Sequence, residues 1–225
     1  MKLHIFYRHY NIKNTDNRNR PSWFDYEKCY DNLISTIFSN KDIRINIVYD
    51  GKEDNWIKNK PYNHFYEIEA KEDMKSFWET IKLAHSDELI EEDDLIYFLE
   101  NDYMHVNGWV DKVFDLFKTY KGLDYVSLYD HNDKYFLPMY ENLTAAIFPT
   151  SSHHWRTTPS TCGSFIATKR KIKEDFDVLS TMRGDHNKWL WLNKNRERFV
   201  FSPLPGLSTH CMEGLLSPTI KWENI

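Results

Sequence analysis

At 225 residues the chain is long enough for one α/β domain with a sizeable buried core, or for one domain and a small appendage. Its net charge of −5, with acids and bases mixed along the chain, argues against nucleic acid as a main partner, because that function leaves a basic patch. Three scattered cysteines, Cys29, Cys162 and Cys211, form no C-x-x-C pair, no signal-peptide apolar region follows Met1, and no apolar run reaches the roughly 18 residues of a membrane span, so the sequence predicts a soluble, cytoplasmic protein. Aromatic residues make up 16% of the chain, which suits either a ring-rich core or a site that stacks on sugars or bases.

In chain order, Leu3–Tyr7 predicts a short strand ending in Arg8 and His9. The polar stretch from Asn11 to Arg20 predicts a loop, and Ser22 is placed to cap a helix whose apolar face is Tyr26, Tyr30, Leu33, Ile34 and Ile37. Ile43–Tyr49 predicts a second strand closed by the turn signal Asp50-Gly51. Polar residues from Lys52 to Pro61 predict a loop, Tyr62–Ile68 a third strand, and Ser76 to Ala84 the body of a second helix starting near Lys71. Leu95–Leu99 is a buried strand by its unbroken apolar run. A third helix follows His105 to about Tyr120, with Gly122 as its stop, and Tyr125–Leu128 is another strand.

This alternation implies an α/β fold with a mostly parallel sheet flanked by helices. The second half is less regular. Leu143–Phe148, Gly163–Thr168 and Arg198–Phe201 predict strands, Lys169–Leu179 a helix, and Asp185 opens another. Pro149 to Pro159 predicts a polar loop exposing Trp155. A soft boundary near Leu137, where the βα alternation stops, divides the single domain, 1–225, into a regular half, 1–136, and a smaller mixed half, 137–225.

The stretch that organises this pattern is Leu95 to His105. Its apolar run ends in Glu100 and Asp102, two carboxylates spaced to point the same way on an extended chain. In open α/β sheets ligands bind outside the carboxyl ends of the strands. A carboxylate pair there suits a hard divalent cation that shares its oxygen ligands with phosphates. An ordinary acidic loop produces the same spacing. Arg8, Asp50 and Glu100/Asp102 all follow strands and converge on one edge if those strands are parallel.

These residues resemble the GT-A-fold glycosyltransferases of the family-2-like group, and most the small viral domains proposed to glycosylate the chlorovirus capsid protein. Leu95 to His105 is similar to the strand and D-x-D equivalent, often E-D-D-Y in such relatives, with Asn101 replacing the middle carboxylate. Trp155 to Lys169 is similar to the acceptor-side loop and strand, and Pro205-Gly206-Leu207-Ser208-Thr209-His210 to the C-terminal metal-histidine segment. Together the three span nearly the whole chain, and the resemblance implies that 1–136 is the nucleotide-sugar-binding half and 137–225 the acceptor-side half.

The resemblance implies a hexosyltransferase-type enzyme moving a sugar from a UDP- or GDP-sugar donor to a hydroxyl of a glycan or glycoprotein, with Mn²⁺ or Mg²⁺. For a viral protein the compartment would be the infected host cell. Asp102 and His210 are then the metal ligands, with Glu100 on the metal through water or on the ribose; a surface histidine in a Pro/Gly loop is the alternative for His210. Asp185 is the base, although Asp at a helix start is also a favoured cap, and His186 is its neighbouring alternative on the acceptor side.

For the donor, Asp50 would accept from a base N–H, Arg8 or Arg20 would contact phosphate, and Ser76 would donate to phosphate near a helix start. Tyr7 would stack on the base, Asn101 lies at the metal turn, and Gly163 would permit close approach of the donor sugar. Core packing for Tyr7, a surface ion pair for Arg20 and a bulge at Gly163 are the plainer alternatives. Trp155 would form the acceptor platform, or merely anchor its loop. A single base without an evident second nucleophile implies inversion. The rival functions are a nucleotidyltransferase, disfavoured because Arg8 to Arg20 contains no glycine, a non-catalytic sugar-binding module, and a metal-dependent phosphoesterase, which would want more His and Asp ligands.

Overall fold

The structure is a computed structural model and describes residues 1–10, 16–37, 41–51 and 56–225; parts of the two predicted loops after Tyr10 and Gly51 lie outside them. The elements run β1 (Leu3–Tyr10), α1 (Tyr26–Ile37), β2 (Ile43–Asp50), β3 (His64–Ile68), α2 (Asp73–Ser86), β4 (Leu95–Glu100), β5 (Tyr103–His105), α3 (Trp109–Thr119) and β6 (Tyr125–Val126). They continue with β7 (Ile147–Pro149), β8 (His154–Thr158), β9 (Phe165–Thr168), α4 (Lys169–Glu174), α5 (Phe176–Leu179), α6 (Asp185–Arg196), β10 (Val200–Leu204) and β11 (Ser208–His210).

Among the described residues nine strands form one sheet in the order β3-β2-β1-β4-β9-β6-β10-β8-β7. The first four are mutually parallel, while β9 runs antiparallel to both β4 and β6. The sheet is thus parallel where the chain alternates β and α, and mixed in the second half.

Both faces are covered. Leu3, Ile5 and Tyr7 of β1 pack with Tyr30 and Leu33 of α1 and with Trp109 and Val113 of α3. On the opposite face Phe6 and Phe98 pack with Phe77 and Ile81 of α2 and with Trp189 of α6. Burial on two faces explains why β1 and β4 are near-continuous apolar runs rather than alternating ones. Each fully buried Leu or Phe contributes about 1.5–3 kcal/mol, so the central strands are the stable base on which the strand ends are mounted. The first of these clusters also contains Trp155 and Phe201, so it joins residues from both sides of Leu137.

Several local expectations change. Helix α1 begins at Tyr26, and the Asp25 carboxylate accepts from the Lys28 N–H at 2.9 Å, so Asp25 takes the capping role expected of Ser22. The predicted Pro149–Pro159 loop contains strand β8, paired on both sides by β7 and β10. The predicted Lys169–Leu179 helix breaks at Asp175, which is fully buried and accepts from Tyr125 Oη, Arg196 and Arg198. The Ser208–His210 segment is a strand paired with β5 rather than a free tail. Among the described residues no helix is long and apolar enough to cross a membrane.

Candidate active site

The parallel register sets Arg8 beside Glu100 and Tyr10 beside Asp50 at the carboxyl ends of adjacent strands. Arg8 is buried. Its Nη2 donates to Glu100 Oε1 at 2.7 Å, and its Nη1 donates to the carboxylate and carbonyl of Asp73 at the start of α2. Burial opposes the Arg8 charge, but Glu100 and Asp73 outweigh it and raise its pKa. The Ser164 hydroxyl accepts from the Glu100 amide at 3.1 Å and donates to Glu100 Oε2 at 3.3 Å. Burial pushes the Glu100 carboxyl up, against the pull of Arg8, with Asp102 and Asp73 adding to the rise. A Cβ on Gly163 would stand 3.4 Å from the Glu100 carboxyl carbon, so Gly163 keeps the space over that carboxylate open.

Asp102 lies in the turn between β4 and β5. Pairing of β5 with β11 puts His210 opposite Tyr103 and brings its ring to Asp102. Three donors meet on Asp102 Oδ2: Arg18 Nη1 at 2.8 Å, Arg20 Nη2 at 2.9 Å and His210 Nε2 at 3.0 Å. Asp102 Oδ1 is buried and has no partner. Burial alone would raise the Asp102 pKa, but His210, Arg20 and Arg18 hold it well below the usual carboxylate range. The His210 ring stacks on Tyr103 at 5.2 Å with planes 8° apart, which fixes its orientation. Arg20 is held further by Asp16 and by the Cys211 carbonyl. Glu100, Asp102, Arg8, Arg18, Tyr10 and Tyr26 line a cavity of about 250 Å³.

These residues fit a divalent cation in one arrangement. Among the described residues Asp102 Oδ1 is a buried oxygen without a hydrogen bond, and His210 Nε2, 3.0 Å from the other oxygen, Oδ2, would ligate an ion only as the tautomer without a proton on Nε2. Hard cations take the rest of their shell from water and phosphate. Glu100 is held by Arg8 and Ser164, and among the described residues no group of three or more His, Cys, Asp or Glu is gathered. Half-exposed Arg18 shares Asp102 with Arg20, so an ion there would replace the Arg18 guanidinium.

Asp185 is the first residue of α6, after Gly184 at φ +76°. Its Oδ1 accepts from Lys188 Nζ at 3.1 Å. Lys188 is fully buried over the Phe77 ring, and burial lowers its pKa against the pull of Asp185 and Glu100. His186 Nδ1 lies 3.1 Å from Ser160 Oγ and 3.4 Å from Tyr140 Oη.

The remaining expected residues fall in several places. Asp50 is buried; its Oδ1 accepts from the Ala70 and Lys71 amides, and its Oδ2 has no partner. Asn101 spans from His9 Nδ1 to Tyr7, accepting the Tyr7 hydroxyl on its carbonyl. Tyr7 is buried edge-on to Tyr30, so its ring is strand core and not an open stacking surface. Ser76 is buried with its amide bonded to the Glu72 carbonyl, so that amide is not free for phosphate. Trp155 is fully buried within β8, which corrects the exposed acceptor platform expected of it: inward alternation on a paired strand turns the ring into the core. Arg20, expected as a surface ion pair or phosphate contact, is mostly buried and pairs with Asp102.

The site also contains Arg18, Asp73, Ser164 and Lys188, which the sequence reading did not single out. Lys188 was accessible from its i+3 spacing to Asp185 on a helix. Arg18 had only the weak signal of a second arginine two residues before Arg20. Asp73 and Ser164 carried none, since register and loop closure bring them in.

No family model matches the chain, and no curated protein does. Among solved structures it is similar to residues 1–349 of TarS from S. aureus, at 12% identity and TM-score 0.51, covering 90% of this chain and 58% of that one. The present chain therefore spans somewhat more than half of the TarS fragment. It is similar to a Desulfovibrio desulfuricans G20 protein described as a nucleotide-diphospho-sugar transferase, at 10% identity and TM-score 0.51, covering 90% and 80% of the two chains. A CMP:2-keto-3-deoxy-manno-octonic acid synthetase solved with CTP matches at 9% identity and TM-score 0.51, with 92% of each chain covered. The fold is that of the GT-A nucleotide-sugar transferases. Glycosyl and nucleotidyl transfer both use it, so the chemistry must be argued from the site.

Proposed function

We propose that this chain is a glycosyltransferase that moves a sugar from a UDP- or GDP-linked donor to a hydroxyl of a glycan or glycoprotein. The supporting observation is the Asp102–His210 pair, with its buried, unpartnered carboxylate oxygen, at the strand ends beside the Arg8–Glu100 pair. Mn²⁺ or Mg²⁺ on Asp102 and His210 would act as a Lewis acid on the departing diphosphate. Arg20 brings positive charge to the same place. Asp50 Oδ2 is free to accept from a ring N–H of the base. Glu100, clamped by Arg8 and Ser164 under Gly163, is an acceptor for donor hydroxyls.

In this reading Asp185 takes the proton of the acceptor hydroxyl while the acceptor oxygen bonds to the anomeric carbon and the bond to the diphosphate breaks. Lys188 holds the carboxylate in place. With one base and direct displacement, the anomeric configuration inverts.

The test is calorimetric titration of UDP, GDP and CTP into the metal-stripped protein, with and without Mn²⁺, repeated on Asp102→Ala. Binding of UDP or GDP that needs both the metal and Asp102 supports the reading. Preference for CTP would replace it with nucleotidyl transfer, and binding of sugars but no nucleotide would leave a sugar-binding module.

A further inference from the structure

A second and larger cavity, of about 580 Å³, lies in the half of the chain after β6. The segment 132–143, with its two short 3-10 turns, forms one wall, and Arg156 of β8 lies at its base. Lys134 and Arg156 line it, both buried, at 5% and 6% exposure, and the one carboxylate among the lining residues, Glu141, is exposed to water. Lys134 Nζ donates to the Ser160 carbonyl at 2.5 Å, and an ammonium has more donors than one carbonyl can use. Arg156 Nη2 donates to Asp130 Oδ1 at 2.9 Å, while its Nε is buried with no partner. Asp130 is already engaged, because the Tyr135 hydroxyl donates to both of its oxygens.

The polar surplus extends along the sheet. Thr158 shares the strand face of Arg156, and Ser202 of β10 is its register partner; the hydroxyls of both are buried without partners. Above them Tyr135 and Phe136 are more than half exposed, and the Arg156 guanidinium lies 5.2 Å from the Tyr135 ring centre. Buried cations whose donors outnumber their acceptors favour an entering anion, and exposed rings beside them suit the C–H face of a sugar. Tyr140, which lines the cavity, has its hydroxyl 3.4 Å from Nδ1 of His186, the residue after Asp185.

We propose that this cavity is the acceptor site and that the acceptor is an acidic sugar, bearing a carboxylate or a phosphate that Lys134 and Arg156 hold. The proposal rests on the glycosyl-transfer reading and adds to it the chemical class of the acceptor. Tyr135 and Phe136 pack on the ring, and the hydroxyl to be glycosylated points toward Asp185. Burial lowers the Lys134 pKa to about 8, with Asp133, Cys162 and Asp130 raising it and Arg156 lowering it, which agrees with an ammonium short of anionic partners.

The test is saturation-transfer NMR titration of the whole wild-type chain, without nucleotide, with glucose, glucuronate and glucose 6-phosphate. One or both acids should bind about 10-fold or more tightly than glucose, and the tighter one names the anion. Lys134→Met should bring acid and glucose to within about two-fold, with UDP and GDP titrations unchanged. Equal binding of glucose and both acids by the wild type, which needs no variant to fold, overturns the proposal, as does an acid preference that survives Lys134→Met. If the acids bind through Lys134 but no nucleotide binds, the cavity stands as an acidic-sugar site and the transferase reading falls. If a nucleotide binds and the acid preference is absent, the acceptor class falls alone.

Discussion

His210 Nε2 and Asp102 Oδ2 lie 3.0 Å apart, although 108 residues separate them in the chain. Two short strands bring this about: β5 follows the Asp102 turn directly, and β11 pairs with it antiparallel. The contact is buried and shared with two arginines, so it is both the centre of the proposed donor site and a structural joint between the chain's halves.

Asp102→Asn keeps the shape and removes the charge that three donors share. Breaking it leaves largely buried Arg20 with Asp16 as its remaining carboxylate, while half-exposed Arg18 turns to water, so the loss of stability should be about 2 kcal/mol. Donor-sugar turnover should fall at least about 100-fold. Urea unfolding and nucleotide-release assays read the two effects separately.

The same carboxylate predicts a pH dependence. Its folded pKa is depressed below the ordinary 3.8, so the stabilisation is present above that value and is lost as pH falls through the folded pKa. The stability gap between wild type and Asp102→Asn should therefore be constant from pH 7 to about pH 5 and shrink progressively below pH 4. Urea midpoints for the two proteins at pH 7, 5, 4 and 3 measure it, and a gap that widens in acid would contradict the assignment.

Arg18 and a divalent ion compete for one oxygen environment at Asp102. Arg18→Ala should raise Mn²⁺ affinity about 10-fold, because the guanidinium that donates to Asp102 Oδ2 at 2.8 Å is removed from a partly buried site. Titration followed by the Mn²⁺ electron paramagnetic resonance signal checks this without any turnover. Unchanged affinity would mean that the ion and the guanidinium do not share Asp102.

Gly163 covers Glu100 at the distance where a methyl group just fits. Gly163→Ala should fold with a stability change under about 1 kcal/mol, whereas Gly163→Val should close the approach to the Glu100 carboxylate and weaken donor binding about 10-fold or more. Paired thermal melts and UDP-sugar titrations distinguish loss of access from loss of fold.

Trp155→Ala should behave as a core truncation, losing about 3–5 kcal/mol of stability, because the side chain is fully buried in a paired strand. A variant that kept its melting temperature and lost only acceptor affinity would restore the platform role expected from the sequence.

Period and chain punctuation determined much of this protein. The apolar run at Leu95–Leu99 can only be satisfied by a strand covered on both faces, and alternation of such runs with amphipathic helices implies parallel strands. That in turn sends Arg8, Asp50 and Glu100 to one edge, and the register bears this out. What tertiary structure alone decided were the partners of those charges. Whether Trp155 faced water depended on β7 and β10 arriving on either side of it. That Glu100 is clamped by Arg8 and Ser164, and that Asp102 holds Arg18 and Arg20, depends on loops whose closure leaves no periodic trace in sequence. Local pattern specifies which face of an element is apolar; side-chain contacts between distant segments follow from strand order and register, which are set by the packing of the whole sheet.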